Sequence, residues 1–142
     1  MTKISSNSIS LCNILNIRYP IIMAPMFLIS NGNMVIEAIN SGITGCLPAH
    51  NFRTDSQFRD TIEMIRKKAT GPIGVNLIVN KSNIKFKQQL KSCLELKIDY
   101  IITSLGSPEK TINACKPLGI KVFCDVIDVK YALKVQDLGC DA

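Results

Sequence analysis

The run Ile73-Gly74-Val75-Asn76-Leu77-Ile78-Val79 is apolar on both of its faces, broken by one glycine and one amide. A strand with a solvated face alternates apolar and polar side chains, whereas an unbroken apolar run of this length fits a strand buried on both sides. That burial is the property of a parallel sheet covered by helices. Working outward, similar short runs stand at Ile21-Ile22-Met23-Ala24, at Thr44-Gly45-Cys46-Leu47, from Tyr100 to Thr103 and from Lys121 to Val126.

Helical patterns fill the intervals. Thr54 with Gln57 three residues later forms a capping box, after which Phe58, Ile62, Ile65 and Ala69 share one face. Ser82 or Asn83 is placed to cap a helix whose apolar side is Phe86, Leu90, Cys93 and Leu94. Ser107-Pro108-Glu109 and Asp128 supply two further helix starts. Leu11 to Ile17 reads as a short helix or turn, and Asn31-Gly32-Asn33 as a turn. Gly42, Gly71, Gly119 and Gly139 mark the returns from helix to strand.

The expected architecture is α/β: about five strand-helix units of an incomplete (β/α)8 barrel. Leu138-Gly139-Cys140-Asp141-Ala142 reads as the end of a helix and the start of a sixth strand. At 142 residues the chain is short of the roughly 250 of a whole eight-fold barrel, so it is expected to be a single front part of one. A doubly wound sheet is disfavoured because the first strand is not followed by a glycine-rich dinucleotide fingerprint.

Composition excludes several classes. A hydrophobic fraction of 46% with 20% charged residues fits a globular chain rather than a disordered one. No apolar stretch reaches the roughly 18 residues of a membrane span, and Met1 to Ser6 lacks the apolar core of a secretory signal, so a cytoplasmic location is expected. Six cysteines stand singly in apolar surroundings, without metal-ligand spacing, and no metal is expected. The net charge of +6 draws on Lys81, Lys85, Lys87, Lys91 and Lys97, which read as a solvated helix face rather than a nucleic-acid patch.

In such a barrel the reactive face is made by the loops that follow the strands. Those positions hold Ala24-Pro25-Met26, Pro48-Ala49-His50-Asn51, Asn76 to Asn80, Ser104-Leu105-Gly106 and Asp125. Pro25 ends strand pairing and turns the backbone outward at the rim. Asn76 is an amide within an apolar strand, and it must find partners or cost roughly 1–3 kcal/mol; a ligand edge or a neighbouring strand would supply them. Ser104 suits a helix cap or a ligand contact, and Asp125 suits a ligand or a loop amide. His50, the only histidine, has no carboxylate at motif spacing and reads as a rim residue.

Taken in order, Tyr19-Pro20-Ile21-Ile22-Met23-Ala24-Pro25-Met26, Gly42-Ile43-Thr44-Gly45, Gly74-Val75-Asn76-Leu77 and Gly139-Cys140-Asp141-Ala142 resemble the nitronate monooxygenase family and its relatives, the flavin-type enoyl-acyl-carrier-protein reductases. The resemblance implies an FMN-dependent barrel that oxidises alkyl nitronates with molecular oxygen. It further implies that the backbone at Ala24, Pro25 and Met26 lines the isoalloxazine ring and that Asn76 bonds the flavin edge; Ser104, Gly106 and Asp125, read from their rim positions, are expected to be further cofactor contacts. The family's catalytic histidine follows the sixth strand and its FMN-phosphate loops follow the seventh and eighth, and none is matched here, so no catalytic residue is assigned and the chain alone is expected to bind FMN weakly or not at all and to lack turnover. The alternatives are a flavin-dependent enoyl reductase and a non-catalytic half-barrel that pairs with a second copy or a complementary half.

Overall fold

A computed structural model describes residues 10–142; the segment Met1 to Ser6 weighed above lies outside the described residues. The elements alternate along the chain: α1 (Leu11–Leu15), β1 (Ile22–Met23), α2 (Gly32–Asn40), β2 (Thr44–Pro48), α3 (Asp55–Lys68), β3 (Ile73–Ile78), α4 (Phe86–Glu95), β4 (Tyr100–Ser104), α5 (Glu109–Cys115), β5 (Lys121–Cys124) and α6 (Val129–Asp137). The five strands are all parallel and lie in sequence order, making a curled half-barrel. Beyond β5, the Asp141 N–H donates to the Val122 carbonyl at 2.8 Å and the Cys124 N–H to the Ala142 carbonyl at 2.9 Å. The chain therefore returns from α6 alongside β5 as the sequence predicts.

Several local expectations shift. The Thr54–Gln57 capping box and the Asp128 cap form as read. Asn31-Gly32-Asn33 is not a turn: Asn31 caps α2 by accepting from the Met34 N–H, and Gly32 is its first residue. Neither Ser82 nor Asn83 caps α4, because the Asn83 side chain is buried and spent elsewhere; Lys85 holds the cap position without a side-chain bond. Pro108 rather than Ser107 precedes α5. The last strand stops at Cys124, short of Val126.

Register and burial separate the two faces of the sheet. Leu47, Ile73, Val75, Leu77, Ile101 and Val122 point to the convex side and meet Val35, Ile39, Ile62, Ile65, Cys93 and Ile112 of the helices. On the concave side Cys46, Tyr100 and Phe123 pack with Leu15 and Ile17, so α1 closes the end at which the strands begin. Tyr100 is fully buried and lies across Gly74, where an added Cβ would sit 2.2 Å from the ring. Thr44 Oγ1 donates to the Pro72 carbonyl at 2.7 Å, so the Tyr100 hydroxyl, 3.2 Å away, donates to Thr44. Burial pushes the Tyr100 phenol and the Cys46 and Cys93 thiols upward, and raises Cys115 to about 12. No described helix is long and apolar enough to cross a membrane.

Two outcomes follow from this packing. Gly74→Ala forces the methyl into the Tyr100 ring and should cost about 1–3 kcal/mol in urea unfolding, with part recovered in a Gly74→Ala/Tyr100→Leu double variant. The buried thiols hold their protons more tightly folded than unfolded. Their stabilisation is full below the ordinary thiol value of 9.0 and is lost as pH rises from there toward about 12 for Cys115. The unfolding free energy from urea titrations should fall above pH 9, by at most about 1.4 kcal/mol per pH unit for each thiol, and Cys93→Ala should flatten the slope.

Candidate functional site

The side chains at the far ends of β3, β4 and β5 are tied into one chain of hydrogen bonds. Asn76 stands opposite Ile102 in the register, on the concave side that Tyr100 fills nearer the strand starts. Its Nδ2 donates to the Ile102 carbonyl at 3.0 Å and to Ser104 Oγ at 2.7 Å. Ser104 Oγ in turn donates to Asp125 Oδ2 at 2.5 Å. A carbonyl can only accept, so the Ile102 contact fixes which way the amide faces. Among the described residues no donor reaches Asn76 Oδ1. Three of the residues read from the sequence therefore meet, although Asp125 is exposed and takes its bond from a hydroxyl rather than from a loop amide.

The first loop is differently disposed from the expectation. The Ser30 hydroxyl donates to the Ala24 carbonyl at 2.8 Å and accepts the Met26 N–H at 2.9 Å, and the Met26 carbonyl accepts from the Ile29 and Ser30 amides. These backbone groups are thus largely spent within the loop. Asn51 locks the loop from outside: its Oδ1 accepts the Leu28 N–H at 2.8 Å and its Nδ2 donates to the Ser30 carbonyl at 2.9 Å. Ser30 and Asn51 were not singled out from the sequence. His50, beside Asn51, has a buried Nδ1 without a partner and contributes no bond to the cluster.

The loops present apolar side chains to solvent on this face. Phe27, Leu28, Leu105, Val126 and Ile127 are all exposed there. Leu28 and Leu105 both hold a left-handed backbone at φ 60°, which costs a leucine roughly 1–2 kcal/mol. Long-range bonds keep them in place: Asn51 for Leu28 and, next to Leu105, the Gly106 carbonyl that accepts the Tyr131 hydroxyl at 2.5 Å. Gly106 itself sits at φ 140°, and a Cβ there would lie 3.2 Å from the Asn80 backbone. The mouth is therefore rigid and apolar at its rim, with the free amide oxygen of Asn76 and a carboxylate as its acceptors.

Solved structures share this fold. FabK from Thermotoga maritima superposes with a TM-score of 0.85 at 26% sequence identity, over 92% of this chain and 41% of that one. A variant of the same FabK gives 0.84 at 26% identity, over 92% and 44%. The resemblance read from the sequence holds in three dimensions. A nitroalkane oxidase from Streptomyces ansochromogenes matches at 0.80 and 16% identity, over 93% and 46%, a likeness of fold. These neighbours lie in the nitronate monooxygenase/FabK-like family, and the chain spans less than half of the length of each. No known family profile matches the sequence.

Asn51→Ala removes both bonds that pin the first loop while leaving the strands untouched. Limited chymotrypsin digestion should then cut at Phe27 or Leu28 at least about tenfold faster than in the wild type, with global stability lowered by about 1–2 kcal/mol.

Proposed function

We propose that this chain provides the ring-binding rim of a flavin-dependent oxidoreductase built on a (β/α)8 barrel, with FMN as the cofactor. The observation that carries the reading is the amide of Asn76. Its two N–H groups are satisfied within the sheet, and its oxygen is an acceptor on the concave side, at the rim formed by the strand ends. A flavin edge offers a ring N–H to such an acceptor. The pinned backbone of Ala24, Pro25 and Met26 would form one wall, and Leu28 and Leu105 would give apolar contacts to a flat ring. Ser104 orients Asn76 and keeps Asp125 at the rim, and Gly106 lets the fourth loop pass close to Asn80. When bound, FMN supplies reversible one- and two-electron chemistry, while the protein positions it and sets its surroundings. The FabK and nitroalkane oxidase neighbours, both flavin enzymes, support this reading.

For the substrate we propose an alkyl nitronate, oxidised with molecular oxygen, in keeping with the ordered sequence segments that resemble the nitronate monooxygenases. A flavin-dependent enoyl thioester reductase is the second reading, and the higher identity to FabK, 26% against 16%, favours it. Oxygen uptake with propyl-2-nitronate against NADH oxidation with crotonyl thioester, assayed on the complete FMN-loaded barrel, separates the two.

The ring-binding reading itself is tested without turnover. Lumiflavin, which has the ring but no phosphate, should be quenched on titration with the wild-type chain. Asn76→Leu should weaken that binding about fivefold to tenfold, the worth of one hydrogen bond to a desolvated acceptor. Equal quenching by wild type and Asn76→Leu would remove the basis of the proposal.

A further inference from the structure

Beside the mouth, and sharing Asn80 and Gly106 with its rim, a second concavity lies between the β3–α4 and β4–α5 loops. It is a groove of about 770 Å³ walled by Val79, Ile84 and Phe86, with Lys81, Lys87 and Lys110 at its edge. This is within the range of small-molecule sites.

The apolar wall is held rigidly. Asn83 is buried, donating from Nδ2 to the Ile78 carbonyl at 2.8 Å and to Gln89 Oε1 at 2.9 Å, while its Oδ1 accepts the Lys85 N–H at 3.0 Å. This network fixes the next residue, Ile84, with 93% of its surface in solvent. A large aliphatic side chain fixed in water gains nothing for the fold.

The lysines are also unusual in placement. Of the five read as one helix face, Lys91 pairs with Glu95 at 3.8 Å and the Lys85 ammonium donates to the Arg53 carbonyl at 3.0 Å, so the set is divided. Lys81, Lys87 and Lys110 take part in none of the four ion pairs among the described residues. Lys87 stands in the first turn of α4, which carries no acid, where a cation is disfavoured by the helix dipole. Glu109 is the one carboxylate on the groove, leaving a net positive rim beside an apolar wall.

We propose that this groove binds an amphipathic anion, a short alkyl chain ending in a phosphate, with the head group on Lys81, Lys87 and Lys110 and the chain against Ile84, Phe86 and Val79. The site is separate from the hydrogen-bonded cluster of Asn76, and its test needs no flavin, so its failure and that of the flavin reading are distinguishable.

Octyl phosphate is the probe, titrated calorimetrically into the wild-type chain at low salt. Saturable binding is expected, with inorganic phosphate and octanol each at least about tenfold weaker, because each lacks one of the two contacts. The K81Q/K87Q/K110Q variant should lose about tenfold, Ile84→Ser should lose about fivefold, and Glu109→Gln should tighten binding as the rim gains positive charge. Unchanged urea midpoints show that the variants fold. No binding by the wild type, equal affinity for inorganic and octyl phosphate, or unchanged affinity in the lysine variant would overturn the proposal. So would association with phosphatidylglycerol vesicles in the absence of any binding to monomeric octyl phosphate, which would mean a membrane surface instead.

Discussion

The contact between the Tyr100 ring and the bare backbone of Gly74 governs the concave side of this sheet. The Tyr100 ring lies over its register partner Gly74 and occupies the volume that a side chain at position 74 would have filled. Its hydroxyl reaches across β3 to Thr44 on β2, and its ring tilts against Phe123 with centroids 5.4 Å apart. With Cys46, Leu15 of α1 and Ile17 just after it, this makes a dry plug where the strands begin. Side chains alternate along a strand, so the next concave positions on β3 and β4 are Asn76 and Ile102, and the following one on β4 is Ser104. The sealed end and the chemically equipped end are thus consecutive layers of one arrangement.

At the equipped end, the decisive matter is which polar groups the fold consumes and which it leaves. The first loop uses Ala24 and Met26 to bind its own Ser30, and Asn51 holds the loop against the end of β2. That loop therefore contributes shape and apolar contact more than hydrogen bonding. Asn76 is the reverse case, with its donors consumed and its acceptor spared. The two left-handed leucines belong to the same division: each exposes an aliphatic side chain at a backbone cost, sustained by polar contacts made from other elements.

What the sequence disclosed follows the range of the interaction. Continuous apolar runs placed all five strands, because burial on both faces is written locally. The Thr54 and Asp128 caps were legible for the same reason: donor and acceptor lie within one turn. Asn76 stood out as an amide in an apolar strand, but its partners are 26 and 28 residues away and carry no local signature. Ser30 and Asn51 were missed because short polar residues in loops are ordinary, and only the folded chain brings Asn51 to a loop 23 residues earlier. Asn83 looked like a helix cap because caps and buried network residues draw on the same side chains. Gly74 carried a usable signal: a glycine within an apolar strand marks a close approach, here that of Tyr100.

The residue type at position 76 is itself an argument. The side chain at 76 faces the Ile102 carbonyl, an acceptor, so an aspartate there would turn an oxygen toward an oxygen. A serine has one hydrogen and could not satisfy both Ile102 and Ser104 from the same place. A leucine would fill the space but lose the side-chain bond to the Ile102 carbonyl and release the Ser104 hydroxyl that holds Asp125. Asparagine meets both inward demands with one planar group, and that planarity commits its remaining oxygen to the opposite direction. The free acceptor is therefore a geometric consequence of satisfying the sheet, and under the proposed flavin reading a ligand edge bearing an N–H would meet a group already oriented before it arrives.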